Sequence, residues 1–227
     1  MKAIILAGGK GTRFLPLTET IPKALISIGN TTLIEKVLDS LPDSIDTVVI
    51  TVKYLAQTIK DHIGVVYKDK KILYANQPVD MDGTWSAMAC AQEYITEGEM
   101  FCVLNCDDLF KKEELEKVIA TKKIGMGVTQ TIMPAKYHGI VTNEDGIVTD
   151  FHRHIDKDRE ERMKDIFANG LFILDEKVFS LESVQLSDNE HGLPQTLLKH
   201  KNDYPIFAHE LIFWQPCNTP EDLLKIL

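Results

Sequence analysis

The sequence lacks most of the features that mark secreted, membrane-spanning or nucleic-acid-binding proteins. Its four cysteines include no C-x-x-C pair, so we expect reduced thiols, mostly in the core of a cytoplasmic protein. No apolar run approaches the length of a membrane span, and Met1–Ile4 begins a strand rather than a signal peptide. The 227 residues carry a net charge of −9, which argues against nucleic acid or a membrane surface as a partner.

Internal repeats and low-complexity linkers are also absent, which predicts a single domain over residues 1–227. Hydrophobic residues make up 44% of the chain, enough to build a core. Strand-like and helix-like segments alternate in residues 1–124. This alternation predicts an α/β fold with a Rossmann-like mixed, mostly parallel sheet and helices on both faces. Residues 125–227 form the second half of the domain, and their strands and turns would supply the other side of a cleft.

Hydrophobic periodicity and turn residues place the individual elements. The predicted strands are Lys2–Leu6, Thr47–Val52, Lys71–Ala75, Phe101–Leu104, Gly127–Ile132, Gly139–Val141, Ile147–His152, Phe167–Leu174 and Ile206–His209. The predicted helices are Leu33–Ser40, Leu55–Ile63, Trp85–Tyr94, Glu113–Thr121, Pro194–His200 and Pro220–Ile226.

The chain does contain a turn made almost entirely of glycine and cations, directly after its first strand. Glycines allow backbone N–H groups to approach a polyphosphate closely. Lys10, Arg13 and Lys23 supply positive charge, and arginine adds a planar fork that matches phosphate oxygens. A simple chain reversal is the alternative, which three cations and two prolines at this spacing disfavour. The segment therefore predicts a phosphate-binding turn.

Two common glycine-rich motifs do not fit this turn. A P-loop requires Ser or Thr after its Gly-Lys pair, whereas Gly11 follows Gly9-Lys10. A dinucleotide fingerprint requires a third glycine at the position of Phe14, which disfavours a nicotinamide dehydrogenase.

Residues 6–23 instead match the pattern L-A-G-G-x-G-T-R-x-x-P-x-T-x-x-x-P-K. With this signature the chain resembles the sugar-phosphate nucleotidyltransferases, also called nucleotide-sugar pyrophosphorylases. The resemblance implies the nucleotide-diphospho-sugar transferase type of fold. It also implies transfer from a nucleoside triphosphate to a sugar 1-phosphate with Mg²⁺ as cofactor, and it leaves a homo-oligomer open. Its nucleotide-binding residues in this segment are Leu6, Ala7, Gly8, Gly9, Gly11, Thr12 and Arg13.

The resemblance gives the two cations separate catalytic roles. Arg13 would take the β- and γ-phosphates, and Lys23 would bridge the α-phosphate and the phosphate of the acceptor. No Ser/His/Asp or Cys/His arrangement suggests a protein nucleophile. Catalysis would therefore come from positioning and electrostatics.

Two carboxylates follow the apolar strand Phe101–Leu104, where open α/β sheets bind their ligands. Carboxylate oxygens suit Mg²⁺, and an exposed acidic turn that caps the next helix is the alternative. Both interpretations stay open for Asp108. The segment Asn105–Asp107 is similar to the Asn-Gly-Asp of the family, so the resemblance makes Asp107 a metal ligand and a catalytic residue.

A polar loop between the third strand and the third helix is a candidate for base recognition. The Gln77 amide offers one donor and one acceptor, and Gly83-Thr84 leaves room for a close approach. An ordinary polar loop is the alternative. The family places the same residue types at this spacing against a pyrimidine base, which implies UTP or dTTP as the donor.

The acceptor side carries fewer matches to the family. Gly139 lies in a similar segment, but Arg153-His154-Ile155 stands where the family has Glu-Lys-Pro. Arg153 or His154 could hold phosphate, or both could be solvated loop residues. Asn169 and Gly170 are similar to the family's Asn-Gly strand beside the sugar, with a strand bulge as the alternative.

Near the end of the chain, Trp214–Asp222 resembles the family's W-x-D-x-G-T-P-E-D, but Pro216 replaces the second metal-binding aspartate. We expect Asn218 to serve as the second metal ligand; the alternatives are a metal site held by one protein carboxylate only, and a helix N-cap role for Asn218. Two other functions stay open: a CTP-dependent cytidylyltransferase acting on phosphocholine or another small phosphate, and a nucleotide-binding regulator without catalysis.

Overall fold

The structure is a computed structural model that describes residues 1–131, 138–153 and 165–226. Its strands are β1 (Lys2–Leu6), β2 (Ser27–Ile28), β3 (Thr31–Thr32), β4 (Thr47–Val52), β5 (Val66–Tyr67), β6 (Lys70–Asn76), β7 (Met100–Asn105), β8 (Asp108–Leu109), β9 (Gly125–Gln130), β10 (His138–Thr142), β11 (Val148–Arg153), β12 (Ile166–Asp175), β13 (Val184–Gln185), β14 (His191–Gly192), β15 (Phe207–Glu210) and β16 (Gln215–Pro216). Its α-helices are α1 (Leu33–Ser40), α2 (Ala56–Ile63), α3 (Gly83–Ala89), α4 (Lys112–Ala120), α5 (Leu193–Lys199) and α6 (Pro220–Leu223).

One sheet of eight strands forms the centre of the molecule, in the order β15-β9-β12-β7-β1-β4-β6-β5. Strand β1 pairs in parallel with β4 on one side and with β7 on the other. Strand β12 runs antiparallel between β7 and β9, so strands from both halves of the chain share the sheet. The predicted fold class, a mixed and mostly parallel sheet with helices, is therefore confirmed.

The core lies on both faces of this sheet because the central strands are apolar along their whole length. In β1, Ala3 and Ile5 pack into one buried cluster, and Ile4 and Leu6 pack into the cluster on the opposite face. Parallel strands all end at the same edge of a sheet, so the turns after β1, β4, β6 and β7 meet there. None of the helices in the described ranges is long and apolar enough to cross a bilayer.

Each predicted strand and helix has a counterpart, although Ile132 lies outside the described residues. The predicted helix Trp85–Tyr94 differs most, because α3 begins at Gly83 and ends at Ala89. Beyond α3 the chain tightens into a 3₁₀ turn, where Tyr94 N–H donates to the carbonyl of Ala91 at 3.0 Å. The short strand pairs β2–β3, β8–β16 and β13–β14 were not predicted, because no periodic pattern in the sequence indicates them.

Candidate active site

A cavity of about 410 Å³ opens at the edge where the parallel strands end. Most of the residues predicted from the sequence line it: Leu6, Gly8, Gly9, Gly11, Thr12, Arg13, Lys23, Gln77, Gly83, Thr84, Asp107 and Asn218. Six further residues that the sequence analysis did not select complete the wall: Phe14, Asp82, Ala87, Asn105, Cys106 and Glu190. The fold thus brings the predicted phosphate, base and metal residues into one cavity.

The phosphate-binding turn is built around the left-handed conformation of Gly11, whose φ is 64°. A Cβ at this position would lie 2.9 Å from Cβ of Lys23, so only glycine fits. The carbonyl of Gly11 accepts from the N–H of Phe14 and from Oγ1 of Thr18, each at 2.8 Å. Three short 3₁₀ turns then carry the chain back, which places Lys23 beside the glycines.

Lys23 and Asp107 form an ion pair at the floor of the cavity. Their side chains are only 12% and 19% exposed, so solvent screens the pair less than it would screen a surface pair. The ammonium group of Lys23 also lies 5.4 Å from the centre of the Phe14 ring. Close by, Nη1 of Arg13 donates to the carbonyl of Asn218 at 3.4 Å. The cations and the carboxylate expected at the phosphates are therefore together.

Asp108 is buried, so the exposed acidic turn that the sequence left open is wrong for this residue. Its two carboxylate oxygens accept from Nε1 of Trp214 at 2.7 Å and from Nδ2 of Asn105 at 2.8 Å. The N-cap of α4 is Lys111, which excludes the capping role. Burial and the neighbouring Asp107 raise the pKa of Asp108 to about 7. Its bonding pattern makes Asp108 an internal anchor for the cavity wall.

The end of the cavity predicted to hold the base is organised by close approaches to glycine. Gln77 is buried and its Nε2 donates to the carbonyl of Met81 at 2.9 Å. A Cβ on Gly8 would lie 2.6 Å from Oε1 of Gln77, so the glycine lets this amide reach the cavity. Gly83 has a φ of 89°, and a Cβ there would lie 2.2 Å from the carbonyl oxygen of His191. Gly83 is thus required for packing as well as for any approach of a base.

Thr84 has a structural partner as well as a place in the wall. Its Oγ1 accepts from the N–H of Leu193 at 2.9 Å, at the first turn of α5. The hydroxyl therefore ties the cavity wall to a helix of the second half of the chain.

Asn169 is not among the residues that line the described cavity, and its assignment to the sugar stays a prediction. Asn169 has no exposed surface, and its Nδ2 donates to Oγ1 of Thr129 at 3.0 Å. The register between β12 and β9 shifts between Ala168 and Phe172, so the strand irregularity offered as the alternative is present. The Asn169 amide faces inwards and forms its hydrogen bond where the pairing between β12 and β9 is interrupted.

Gly170 lies beside the wall, against the Asp108 carboxylate. Its φ is 80°, and a Cβ would lie 2.1 Å from Oδ2 of Asp108. Gly139 and Arg153 lie on the β10–β11 hairpin, where His138 pairs with Arg153. His154 lies outside the described residues.

Asn218 is not the N-cap of the last helix, so that alternative is wrong. The cap of α6 is Thr219, which forms a capping box with Asp222. The N–H of Asn218 donates to Oδ2 of the same Asp222 at 3.0 Å, which fixes the backbone of Asn218 at the cavity wall.

The residues that the sequence analysis missed differ in how visible they were. Asn105 ends an apolar strand two positions before Asp107, so the strand-end rule that selected Asp107 could have selected it as well. Asp82 and Glu190 meet only because their backbones form an isolated bridge between distant segments. Nothing local in the sequence announces that pairing.

A mixed, mostly parallel α/β sheet with a glycine-rich turn, two cations and strand-end carboxylates is typical of the class of nucleotide-binding proteins. The family model described as Nucleotidyl transferase matches residues 2–225 of the chain. The chain therefore belongs to the sugar-phosphate nucleotidyltransferase family, and the resemblance seen in the sequence is confirmed.

Two curated relatives and one solved structure are similar to this chain. The bifunctional protein GlmU of Methanocaldococcus jannaschii is 26% identical over 99% of this chain and 53% of its own length. The mannose-1-phosphate guanylyltransferase catalytic subunit beta of Drosophila melanogaster is 28% identical over 98% of this chain and 61% of its own length. The solved inositol-1-phosphate CTP transferase from T. maritima matches with a TM-score of 0.77 and 20% identity, over 99% of this chain and 95% of that one. The chain spans about half the length of the first of these relatives.

Proposed function

We propose that this protein transfers a nucleotidyl group from a nucleoside triphosphate to a sugar 1-phosphate, giving a nucleotide-sugar and pyrophosphate. The observation that carries the proposal is the Lys23–Asp107 ion pair at the floor of the cavity, beside the glycine turn. A cation for the reacting phosphates and a carboxylate for a metal lie within contact distance of each other. A regulator that only binds nucleotide has little need of such a pair, which favours catalysis over the regulatory alternative.

In the proposed reaction, a phosphate oxygen of the acceptor attacks the α-phosphorus in line with the departing pyrophosphate. Lys23 neutralises the α-phosphate and the incoming phosphate, and Arg13 donates to the β- and γ-phosphate oxygens. Backbone N–H groups of the glycine turn, from Gly8 to Gly11, surround the phosphates. The protein supplies no nucleophile, and its contribution is orientation and preformed positive charge.

The residues at the cavity floor fit Mg²⁺. Asp107 offers a carboxylate oxygen and Asn218 an amide oxygen, which are the hard donors that Mg²⁺ prefers. The described residues contain no group of three or more His, Cys, Asp or Glu side chains that could hold a metal without substrate. A site with so few protein ligands suits Mg²⁺, which binds through one or two carboxylates together with substrate phosphates. When bound, the ion would supply charge neutralisation at the reacting phosphates.

In this proposal the carboxylates of Asp107 and Asp108 have different roles. Both oxygens of Asp108 already accept hydrogen bonds from Trp214 and Asn105, whereas the Asp107 carboxylate forms an ion pair with Lys23. We therefore assign the metal to Asp107 and Asn218, and a supporting role to Asp108.

For the donor we propose UTP or dTTP, because uracil and thymine present one N–H donor between two carbonyl acceptors. The Gln77 amide can meet such an edge, and Gly83 and Thr84 lie in the same wall. For the acceptor we propose a sugar 1-phosphate held at its phosphate by Lys23, on the side of the cavity where Gly170 packs against Asp108. Gly139 and Arg153 would contribute from the β10–β11 hairpin.

A screen of pyrophosphate release tests the proposal. UTP, dTTP, CTP, GTP and ATP are each mixed with Mg²⁺ and a panel of sugar 1-phosphates, with phosphocholine included for the cytidylyltransferase alternative. We expect release with UTP or dTTP and a sugar 1-phosphate, and a product of the mass of the nucleotide-sugar. If pyrophosphate were released only with CTP and phosphocholine, the acceptor would not be a sugar 1-phosphate. If no pair released pyrophosphate, the proposed catalysis would be contradicted.

A further inference from the structure

Two consecutive residues in the turn between β4 and α2 hold the two walls of the cavity. Lys53 and Tyr54 follow the end of β4, and neither contributes to the described wall of the cavity. Leu55, the next residue, has a φ of 49°, in the left-handed region that side chains rarely adopt. Such a backbone conformation persists only where the surrounding contacts fix it. Lys53 and Tyr54, the two residues before Leu55, supply contacts of this kind.

Lys53 binds the loop at the base end of the cavity. Its Nζ donates to the carbonyl of Met81 at 2.9 Å and to Oδ1 of Asp82 at 2.7 Å. The Gln77 amide donates to the same Met81 carbonyl, so the lysine and the base-reading glutamine share one acceptor. The Lys53 side chain is only 12% exposed, and its Cβ would lie 3.2 Å from a Cβ on Gly8. Lys53 thus fixes the loop between Gln77 and Gly83.

Tyr54 binds the segment behind the glycine turn, between the wall residues Phe14 and Lys23. Its hydroxyl lies 3.0 Å from the carbonyl oxygens of both Thr18 and Glu19, to which it donates. Thr18 is buried, and its own hydroxyl donates to the carbonyl of Gly11 at 2.8 Å. A continuous chain of hydrogen bonds therefore joins Tyr54 through Thr18 to the glycine that lies against Lys23.

We propose that Lys53 and Tyr54 are positioning residues that act as a two-sided clamp, with Lys53 setting the base wall and Tyr54 setting the phosphate wall. Because they are adjacent in one turn, they also fix the distance between the two walls. A preformed binding site avoids the entropy cost of ordering its loops when the ligand arrives. This inference rests on the proposed function, because it assigns base and phosphates to the two walls.

The test uses Tyr54→Phe, which removes the hydroxyl, and Lys53→Met, which removes the ammonium group with its donors and its charge. A second Tyr–Lys pair, Tyr67 and Lys68, provides matched controls: Tyr67→Phe and Lys68→Met remove donors to Asp39, outside the described wall of the cavity. Calorimetry measures the dissociation constants of pyrophosphate and of the triphosphate that the wild-type protein uses, both with Mg²⁺.

We expect Tyr54→Phe to raise both dissociation constants about fivefold to tenfold, the typical effect of one lost hydrogen bond. Lys53→Met should raise only that of the triphosphate, because pyrophosphate has no base. A merely structural role would lower thermal stability without this split. If Tyr54→Phe does not fold, Thr18→Val interrupts the same hydrogen-bond chain and should give the same pattern.

The outcomes separate the two proposals. A wild-type protein that binds neither ligand and releases no pyrophosphate overturns the proposed function and the clamp together. An active wild-type protein whose Tyr54 and Lys53 variants bind like their controls overturns the clamp alone. Equal losses for both ligands in both variants would also overturn it, because the two residues would then not serve separate walls.

Discussion

The ammonium group of Lys23 pairs with the carboxylate of Asp107, although 84 residues separate them along the chain. The lysine comes from a 3₁₀ turn after the glycines, and the aspartate follows the end of β7. The two opposite charges compensate each other, so neither is left unpaired in a partly buried place. In the proposed reaction, substrate phosphates would give Lys23 a new partner of opposite charge, and a metal ion would give one to Asp107.

Removing either cation, Lys23 or Arg13, should slow the reaction strongly without unfolding the protein. We expect Lys23→Ala and Arg13→Ala each to lower kcat by about 10²–10³, the usual effect of losing one well-placed electrostatic donor. Pyrophosphate release measures the rate, and circular dichroism checks the fold. Lys117→Ala, at an exposed position of α4, is the control for a lost surface charge. Near-normal turnover in the Lys23 variant would contradict its role.

The two adjacent aspartates should fail in different ways. Asp107→Asn removes the proposed metal ligand, so we expect loss of Mg²⁺-dependent turnover in a folded protein. Asp108→Ala leaves the Trp214 indole and the Asn105 amide without their acceptor, and each orphaned donor costs about 1–3 kcal/mol of folding free energy. Urea unfolding and turnover are measured on both variants. A stable but inactive Asp108 variant would show that the roles were exchanged.

A glycine pair separates packing from backbone strain. Gly83→Ala would place a Cβ 2.2 Å from the His191 carbonyl oxygen, so the strand β14 must move away. Gly98 has a φ of 74° with no atom within 4 Å of its Cβ position, so Gly98→Ala carries strain alone. We expect Gly98→Ala to cost about 1 kcal/mol and Gly83→Ala at least twice as much, with loss of nucleotide affinity. Equal melting temperatures for the two variants would refute the clash.

Asn218 offers a test of the second metal ligand. Asn218→Ala should raise the Mg²⁺ concentration needed for half-maximal turnover, because it removes one oxygen donor. Asn218→Asp should lower that concentration, because it adds a charged oxygen in the same place. Neither variant changes the Thr219–Asp222 capping box of α6, and the backbone N–H of residue 218 keeps its bond to Asp222. An unchanged Mg²⁺ titration in both would remove Asn218 from the metal site.

Local patterns predicted much of this fold because the strands and helices carry their periodicity within a few residues. The β-branched run Thr47–Val52 is strand β4 as predicted, and the amphipathic Leu33–Ser40 is α1. The glycine turn was also visible, because its chemistry is contained in consecutive residues. Parallel strands then bring Asp107 to the same edge of the sheet, so a local prediction led to the correct side of the molecule.

Partners that are distant in sequence explain what local patterns could not predict. The burial of Asp108 depends on Trp214, 106 residues later, and on the pairing of β8 with β16. The buried Asn169 side chain donates to Thr129, which lies 40 residues earlier on the neighbouring strand β9. The sequence around Asp108 and around Asn169 contains no pattern that indicates these distant partners. The two-residue strands could not be predicted either, because a segment of two residues is too short to show a periodic pattern.

The contact between Arg13 and Asn218 spans 205 residues, nearly the full length of the sequence. The Arg13 guanidinium can reach the Asn218 carbonyl only after strands from both halves of the chain have joined the central sheet. The glycine turn forms from consecutive residues, whereas closure of this part of the cavity depends on contacts of long sequence separation. Folding therefore assembles the cavity from one local structure and one that only the complete sheet can provide.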